Sequence, residues 1–202
     1  MIRLTLLFLL AGIAAAAHAE NTILVFGDSI SAGYGIPVEK GWVALLQAKL
    51  EDEGYGYRVV NASVSGETTA GGLSRLPRAL ALHHPRIVIL ELGGNDGLRA
   101  LPVAAMRANL GKMVRLARAA RASVVLLGMR MPPNYGPEYT AEFRRAYLDV
   151  AKARVAFLPF FLDGVALTPA LIQADGIHPN VLGQPRLLAN VWTVLRPLLR
   201  KK

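Results

Sequence analysis

The chain has 202 residues, of which 53% are hydrophobic and none is cysteine, and its 23 Lys and Arg against 14 Asp and Glu give a net charge of +9. Without cysteine the chain can form neither a disulfide nor a thiolate metal site, and its chemistry uses no thiol. The basic excess favours anionic partners such as phospholipid head groups. Because the arginines are dispersed along the chain, we expect no nucleic-acid partner.

The first 19 residues are typical of a secretory signal. Arg3 precedes an apolar run over residues 4–17, small residues surround His18, and cleavage is expected after Ala19. The alternative is a transmembrane anchor, which needs about 20 apolar residues, and this run is shorter. Removing 19 of the 202 residues leaves 183. That length suits one domain with a buried core, over residues 20–202.

Strand and helix patterns alternate through the rest of the chain. Short apolar and β-branched runs predict strands, and apolar residues at helical spacing predict helices between them. The predicted strands cover residues 22–26, 57–61, 86–92, 123–128 and 155–158. The predicted helices cover residues 42–50, 73–82, 102–121, 137–153 and 185–195. This alternation predicts an α/β fold with a five-stranded parallel sheet between helices, and a ligand site beyond the carboxyl ends of the strands.

Two segments carry residues suited to serine chemistry. Ser29 follows the first predicted strand, where its hydroxyl is a candidate nucleophile, although Asp and Ser at this place are also usual helix N-caps. His178 lies three residues after Asp175 across a glycine-containing turn, so the carboxylate can orient the imidazole. Alternatively, the aspartate belongs to an ordinary turn and the histidine is a satisfied buried ring.

Donors for an oxyanion follow the next two strands. Gly66 offers a backbone N–H with no side chain in the way, and Asn95 offers a side-chain amide that donates without changing its protonation state. Both residues are also common in ordinary loops and turns. No histidine pair stands at metal-ligand spacing, so we expect no metal.

Together these segments resemble the four conserved blocks of the SGNH hydrolases, also called the GDSL family. The blocks correspond to residues 27–31, 66, 93–96 and 175–178. The resemblance covers the whole mature chain and implies the three-layer α/β/α, flavodoxin-like fold of that family. It implies that Ser29 is the nucleophile, His178 the general acid and base, and Asp175 its orienting partner. The implied oxyanion hole combines the backbone N–H groups of Ser29 and Gly66 with the Asn95 side chain, and no cofactor is required.

A closer likeness points to family members that hydrolyse aryl esters, fatty acyl thioesters and lysophospholipids in the bacterial periplasm. Residues 92–99, 133–136, 158–161 and 175–180 carry it. It implies a periplasmic, monomeric esterase for small acyl substrates, able to contact phospholipid, with a mobile loop over residues 96–102 beside an apolar groove. The expected substrate-binding residues are Asp96, Gly97, Leu98, Met129, Arg130 and Met131. The two methionines have an alternative role as core filling.

Two other functions remain open from the sequence. A carbohydrate O-acetyl esterase has the same fold, and a sharp preference for acetyl esters would identify it. A lipid-binding or cell-wall-binding module that keeps the fold without catalysis is the second, and the intact catalytic blocks disfavour it. The hypothesis of a nucleotide-binding protein is disfavoured more strongly, because no G-x-G-x-x-G or P-loop follows a strand.

Overall fold

The computed structural model describes residues 21–201, so the predicted secretory signal lies outside the described part of the chain. Within that part, five parallel strands form one sheet in the order β2-β1-β3-β4-β5. The strands are β1 (Asn21–Gly27), β2 (Tyr57–Asn61), β3 (Ile87–Glu91), β4 (Ser123–Leu127) and β5 (Ala156–Leu158). The predicted five-stranded parallel sheet is therefore confirmed.

Helices cover both faces of this sheet. They are α1 (Ser29–Ala32), α2 (Trp42–Asp52), α3 (Thr69–His83), α4 (Gly94–Leu98), α5 (Val103–Ala119), α6 (Pro137–Ala151) and α7 (Gln184–Leu195). Helices α2 and α7 pack together on one face, and α5 packs between α3 and α6 on the other. This is the predicted three-layer α/β/α arrangement. Over residues 21–201, no helix is long and apolar enough to cross a membrane.

The central strands lie at the core because helices exclude water from both of their faces. Every residue of β3 is buried, and in β1 so is every residue after Asn21. Trp42 of α2 packs edge-on against Phe161, with ring centroids 5.5 Å apart. On the opposite face, Phe143 and Tyr147 of α6 pack in the same manner at 5.4 Å. Full burial of one large apolar side chain contributes about 1.5–3 kcal/mol, so these contacts stabilise the packing of the helices on the sheet.

Helix α3 begins four residues before the predicted start at residue 73. Thr68 caps it by accepting a hydrogen bond from the N–H of Gly71. The following Gly72 lets the helix approach the sheet, since a Cβ there would lie 2.5 Å from Leu92 Cδ1. Two consecutive glycines have low intrinsic helix propensity, and tertiary packing overrides that preference here.

Candidate active site

The site is built where the carboxyl ends of β1, β2 and β3 meet. In parallel strands these ends share one edge, and the pairing of Gly27 with Glu91 brings the end of β1 beside the end of β3. Asp28 and Ser29 follow β1 directly. The backbone N–H of Val64, in the loop after β2, donates to the Gly27 carbonyl at 3.0 Å. The ends of the three strands are thus joined around Gly27, the last residue of β1.

Ser29 is the first residue of the short helix α1. Asp28, and not Ser29, is its N-cap, and the Asp28 Oδ1 accepts from the Ile30 N–H at 3.1 Å. The cap and the candidate nucleophile are therefore neighbouring residues, so the capping role of Asp28 leaves the Ser29 hydroxyl free of that task. The Ser29 side chain is left to face the histidine, and the residue is 9% exposed.

A continuous hydrogen-bonded chain joins Ser29, His178 and Asp175. The Ser29 Oγ lies 2.8 Å from His178 Nε2, and His178 Nδ1 lies 2.6 Å from Asp175 Oδ2. An ionised carboxylate only accepts hydrogen bonds, so Nδ1 carries the hydrogen and Nε2 accepts from the serine hydroxyl. This arrangement can take a proton from the Ser29 hydroxyl and return it.

Asp175 also forms the turn that the alternative interpretation of this segment expected. Its Oδ1 accepts from the backbone N–H groups of Ile177 at 2.9 Å and His178 at 3.0 Å. These hydrogen bonds from the His178 and Ile177 backbone, together with the one from the His178 ring, lower the pKa of Asp175 to about 2. One oxygen thus shapes the turn and the other holds the imidazole, and the carboxylate stays ionised at neutral pH.

The expected oxyanion donors Gly66 and Asn95 lie in the segments that follow β2 and β3. Gly66 occupies a tight turn closed by a hydrogen bond from the Glu67 N–H to the Val64 carbonyl, and its φ of +78° is the value that a type II turn requires. Asn95 Nδ2 gives one hydrogen to Asp28 Oδ2 at 3.1 Å and keeps a second. The N–H groups of Ser29 and Gly66 have no hydrogen-bond acceptor among residues 21–201. All three donors are available to an incoming oxygen.

Burial raises the pKa of Asp28 to about 6, against the lowering effects of the Ile30 N–H, the His178 charge and the Asn95 amide. The residue is 2% exposed and lies directly behind the candidate oxyanion donor. Its carboxylate therefore fixes both the start of α1 and the orientation of the Asn95 amide.

The contacts of two further residues, Tyr34 and Arg99, were not predicted from the sequence. The Tyr34 ring lies over His178, with centroids 4.6 Å apart, and the Gln173 side chain donates to the Tyr34 carbonyl at 2.8 Å. Arg99 Nη2 donates to the Gly66 carbonyl at 3.1 Å. Both contacts join segments far apart in the chain, and no spacing rule links them. An aromatic residue shortly after the serine was the only available clue for the first.

The expected substrate-binding residues divide between the surface and the interior. Leu98 and the Arg130 guanidinium are exposed, and the latter lies 4.8 Å over the Phe160 ring. Met131 is partly buried and packs against the core. These three remain on the accessible side of the strand ends.

Asp96, Gly97 and Met129, which are also expected to contact substrate, are buried, and their contact with substrate stays a prediction. Asp96 is 3% exposed, and its carboxylate accepts from both the N–H and the hydroxyl of Thr69. Gly97 lies beneath Met131 and would not accommodate a Cβ there. Met129 is 5% exposed, which fits its alternative role as core filling. The segment predicted as a loop from residue 96 is helical as far as Leu98, in α4.

Over the described range 21–201, no group of three or more His, Asp or Glu side chains is arranged to hold a metal ion. The site therefore consists of a hydroxyl, an imidazole, a carboxylate and three uncharged donors. These are the groups that acyl transfer through a serine requires.

The chain matches the GDSL-like lipase/acylhydrolase family over residues 25–186 and belongs to that family. The curated relatives include esterase TesA of Pseudomonas aeruginosa, 57% identical over 182 residues that cover 90% of either chain. They also include thioesterase 1/protease 1/lysophospholipase L1 of Escherichia coli strain K12, 42% identical over 91% of this chain and 87% of that one. Among solved structures, the psychrotrophic esterase EstA from Pseudoalteromonas sp., inhibited by monoethylphosphonate, is 39% identical and superposes with a TM-score of 0.84. That superposition covers 88% of this chain and 97% of the other.

These similarities confirm the family and the α/β/α fold expected from the sequence. They also confirm that the chain is an enzyme that hydrolyses ester bonds of small molecules. The non-catalytic binding module is thereby set aside.

Proposed function

We propose that this enzyme is a serine hydrolase that cleaves carboxylic esters and thioesters through an acyl-enzyme intermediate. Ser29 is the nucleophile, His178 the general acid and base, and Asp175 the residue that orients and stabilises the imidazole. The observation that carries this proposal is the unbroken chain of contacts, 2.8 Å from Ser29 to His178 and 2.6 Å from His178 to Asp175.

In the first half of the reaction, the Ser29 Oγ attacks the substrate carbonyl carbon while its proton passes to His178 Nε2. The negative charge on Asp175 stabilises the resulting imidazolium. The carbonyl oxygen becomes an oxyanion and is held by the N–H groups of Ser29 and Gly66 and by the Asn95 amide. The imidazolium then protonates the leaving alcohol or thiol, and the acyl group remains on the serine.

In the second half, a water molecule takes the place of the leaving group. His178 removes a proton from that water as it attacks the acyl carbonyl, and the same three donors hold the second oxyanion. Collapse of this intermediate returns the proton to the Ser29 oxygen and releases the carboxylic acid. No cofactor takes part in this sequence of steps.

For substrates, we propose fatty acyl thioesters, aryl esters and lysophospholipids. Exposed apolar side chains stand beside residues of the proposed site: Val64 near Gly66, Leu98 near Asn95, and Ile177 next to His178. These side chains suit an acyl chain or a phospholipid surface. The net charge of +9 favours an anionic surface. The names of the relatives, esterase and thioesterase/lysophospholipase, agree with this range of substrates.

We further propose that the enzyme is exported to the periplasm and acts there as a monomer. The support for export is the charged, apolar and small-residue order of residues 1–19. Cell fractionation followed by mass determination of the mature protein tests the location and the cleavage after Ala19. Sedimentation of the purified protein tests the monomer.

The test of the reaction compares wild type with Ser29→Ala on p-nitrophenyl esters from acetate to palmitate and on a palmitoyl thioester. Ser74→Ala is the matched control, because Ser74 is an exposed serine whose hydroxyl only bonds the Gly71 carbonyl of its own helix. We expect medium and long chains to be hydrolysed and kcat to fall by about 10⁴-fold or more in Ser29→Ala alone. Equal turnover by Ser29→Ala and wild type would refute the mechanism. Activity confined to acetate would replace the lipid substrates with the carbohydrate O-acetyl esterase.

A further inference from the structure

Glu91 is a fully buried acid at the end of β3, directly behind the segment that carries Ser29. It is 0% exposed. Its Oε2 accepts from the Ser31 hydroxyl at 2.6 Å and from the Asp28 N–H at 3.3 Å. These two donors lie on either side of Ser29 in the chain. One carboxyl oxygen from the central strand therefore holds both flanks of the nucleophile segment.

Gly27 shows how closely this carboxyl and the nucleophile segment approach. A Cβ on Gly27 would lie 2.6 Å from Glu91 Oε2, 2.9 Å from Ser31 Oγ and 3.0 Å from the Glu91 carbonyl oxygen. No side chain fits between β1 and the carboxyl. The position of the Ser29 turn relative to the sheet is thus determined by direct contact with Glu91.

One oxygen of this buried carboxyl contributes nothing favourable to stability. Glu91 Oε1 has no hydrogen-bond partner among residues 21–201 although it is buried. A buried polar atom without a partner costs about 1–3 kcal/mol, which offsets part of what the two hydrogen bonds to Oε2 contribute to folding. A carboxyl group here is therefore better explained by what it does for the turn than by its contribution to folding.

We propose that Glu91 is a positioning residue for catalysis, which holds Ser29 in its attacking position through hydrogen bonds to Asp28 and Ser31. The inference rests on the proposed serine mechanism. Small displacements of a reacting atom, on the order of 1 Å, lower turnover by about 100-fold, so the accuracy of this turn affects kcat directly. Substrate affinity depends on other residues and is left unchanged.

The surroundings of Glu91 agree with a neutral carboxyl. Burial raises its pKa well above the usual range, and the charge of Asp28 in the β1–α1 turn raises it further. From α6, the buried Tyr147 phenol faces it and donates to the Leu92 carbonyl at 2.9 Å. With Glu91 protonated, the Asp28 carboxylate can ionise and accept from Ile30 and Asn95 without a second buried negative charge beside it.

The test measures kcat and KM of Glu91→Ala and Glu91→Gln on a medium-chain p-nitrophenyl ester, together with Ile89→Ala. Ile89 lies two residues earlier on the same face of β3 and is equally buried, so its truncation destabilises the strand without touching the turn. We expect Glu91→Ala to lower kcat by about 100-fold with KM within about 3-fold of wild type. Glu91→Gln keeps an acceptor oxygen, and we expect kcat within about 5-fold of wild type with an unchanged pH profile between about pH 6 and 9.

A folded Glu91→Ala protein with wild-type kcat overturns the inference, and so does an equal loss of kcat in Ile89→Ala. If Glu91→Ala does not fold, Ser31→Ala replaces it, because it removes one of the two donors with a smaller change. We then expect about a 10-fold lower kcat, and a wild-type value overturns the inference. Ser29→Ala in the same assay separates a failure of the serine mechanism from a failure of the positioning role of Glu91. If it is inactive while Glu91→Ala is fully active, the serine mechanism holds and only the role of Glu91 fails.

Discussion

A neighbouring carboxylate fixes the amide of Asn95, one of the proposed oxyanion donors. Asp28 Oδ2 takes one amide hydrogen, which sets the rotation of the side chain and directs the second hydrogen elsewhere. The donor is therefore in place before substrate arrives, and no reorganisation is needed during the reaction.

Replacing Asn95 tests whether its side-chain amide stabilises the oxyanion. We expect Asn95→Ala to lower kcat by about 100- to 1000-fold on p-nitrophenyl butyrate, because one of three oxyanion donors is lost. Asn95→Asp should be slower still, since its carboxylate cannot donate and would repel the oxyanion and Asp28. Steady-state kinetics of both variants, with circular dichroism to verify folding, provide the measurement. An Asp variant as active as the Ala variant would contradict the proposed role of this position.

Arg99 contacts Gly66, the second of the proposed oxyanion donors. Its Nη2 donates to the Gly66 carbonyl at 3.1 Å, so the guanidinium braces the turn that carries the proposed donor N–H. We expect Arg99→Ala to lower kcat/KM by about 10-fold as that turn loosens. Arg107→Ala is the control, because Arg107 is an exposed arginine of α5 whose partner is Asp149. Equal kinetics for Arg99→Ala and Arg107→Ala would exclude the bracing role.

At the scale of elements, α4 shows how a short helix is maintained by its neighbours. Its five residues include two glycines and are too few to form a stable helix alone. Asp96 ties it to the start of α3 at Thr69. The Tyr135 hydroxyl donates to the Leu98 carbonyl at 3.0 Å, and the Tyr139 hydroxyl donates to the Gly97 carbonyl at 3.3 Å. These ties hold the segment that carries Asn95.

Removing the two phenol hydroxyls should loosen residues 97–101. The double variant Tyr135→Phe/Tyr139→Phe keeps both rings and loses about 0.5–1.5 kcal/mol per hydrogen bond. We expect faster amide hydrogen exchange confined to this segment, with protection in β3 unchanged. Tyr55→Phe is the control, because Tyr55 contacts Trp192 and Lys201 through its ring. Unchanged exchange in residues 97–101 would show that Asp96 alone maintains α4.

The sequence predicts the long elements well and the short ones poorly. The apolar run of β3 and the helical spacing in α5 identify their elements because local pattern and burial agree. Neither α1 nor α4 has such a pattern, because each is held by contacts made in the folded chain. The proposed triad was predictable since Asp175 and His178 lie three residues apart, whereas the Tyr34 ring meets His178 across 144 positions. The hydrogen bond between Asp96 and Thr69 was not predictable either, because the two residues lie 27 positions apart.

At the scale of the whole molecule, the structure buries acidic groups beneath its proposed site, and this affects the pH dependence of folding. Asp28 and Glu91 are both buried, and burial raises the pKa of each. An acid with a raised pKa holds its proton in the folded state after the unfolded chain has released it. Stability therefore falls as the pH rises between the unfolded and folded pKa values.

For Asp28, burial raises the pKa in the folded state to about 6, against the ordinary value of 3.8 in the unfolded chain. Below pH 3.8 both states hold the proton, and well above pH 6 neither does. Between these values only the folded state holds it, so each rise in pH favours unfolding. From pH 4.5 to 6.5 this linkage lowers the free energy of unfolding by about 2 kcal/mol. Asp175, with its pKa lowered to about 2, is ionised in both states above pH 4.5 and does not alter this difference.

Urea denaturation of wild type and Asp28→Asn at pH 4.5 and 6.5 tests this dependence. Asparagine does not titrate and still caps α1. The variant should therefore lack most of the fall in unfolding free energy that Asp28 causes between the two pH values. Replacing Asp28 also removes a negative charge that raises the pKa of Glu91, which further reduces the pH dependence of the unfolding free energy. We therefore expect the drop in unfolding free energy between the two pH values to be smaller in the variant by about 2 kcal/mol. Equal drops in both proteins would mean that Asp28 ionises alike in the folded and unfolded states, and that the cap of α1 carries no buried charge.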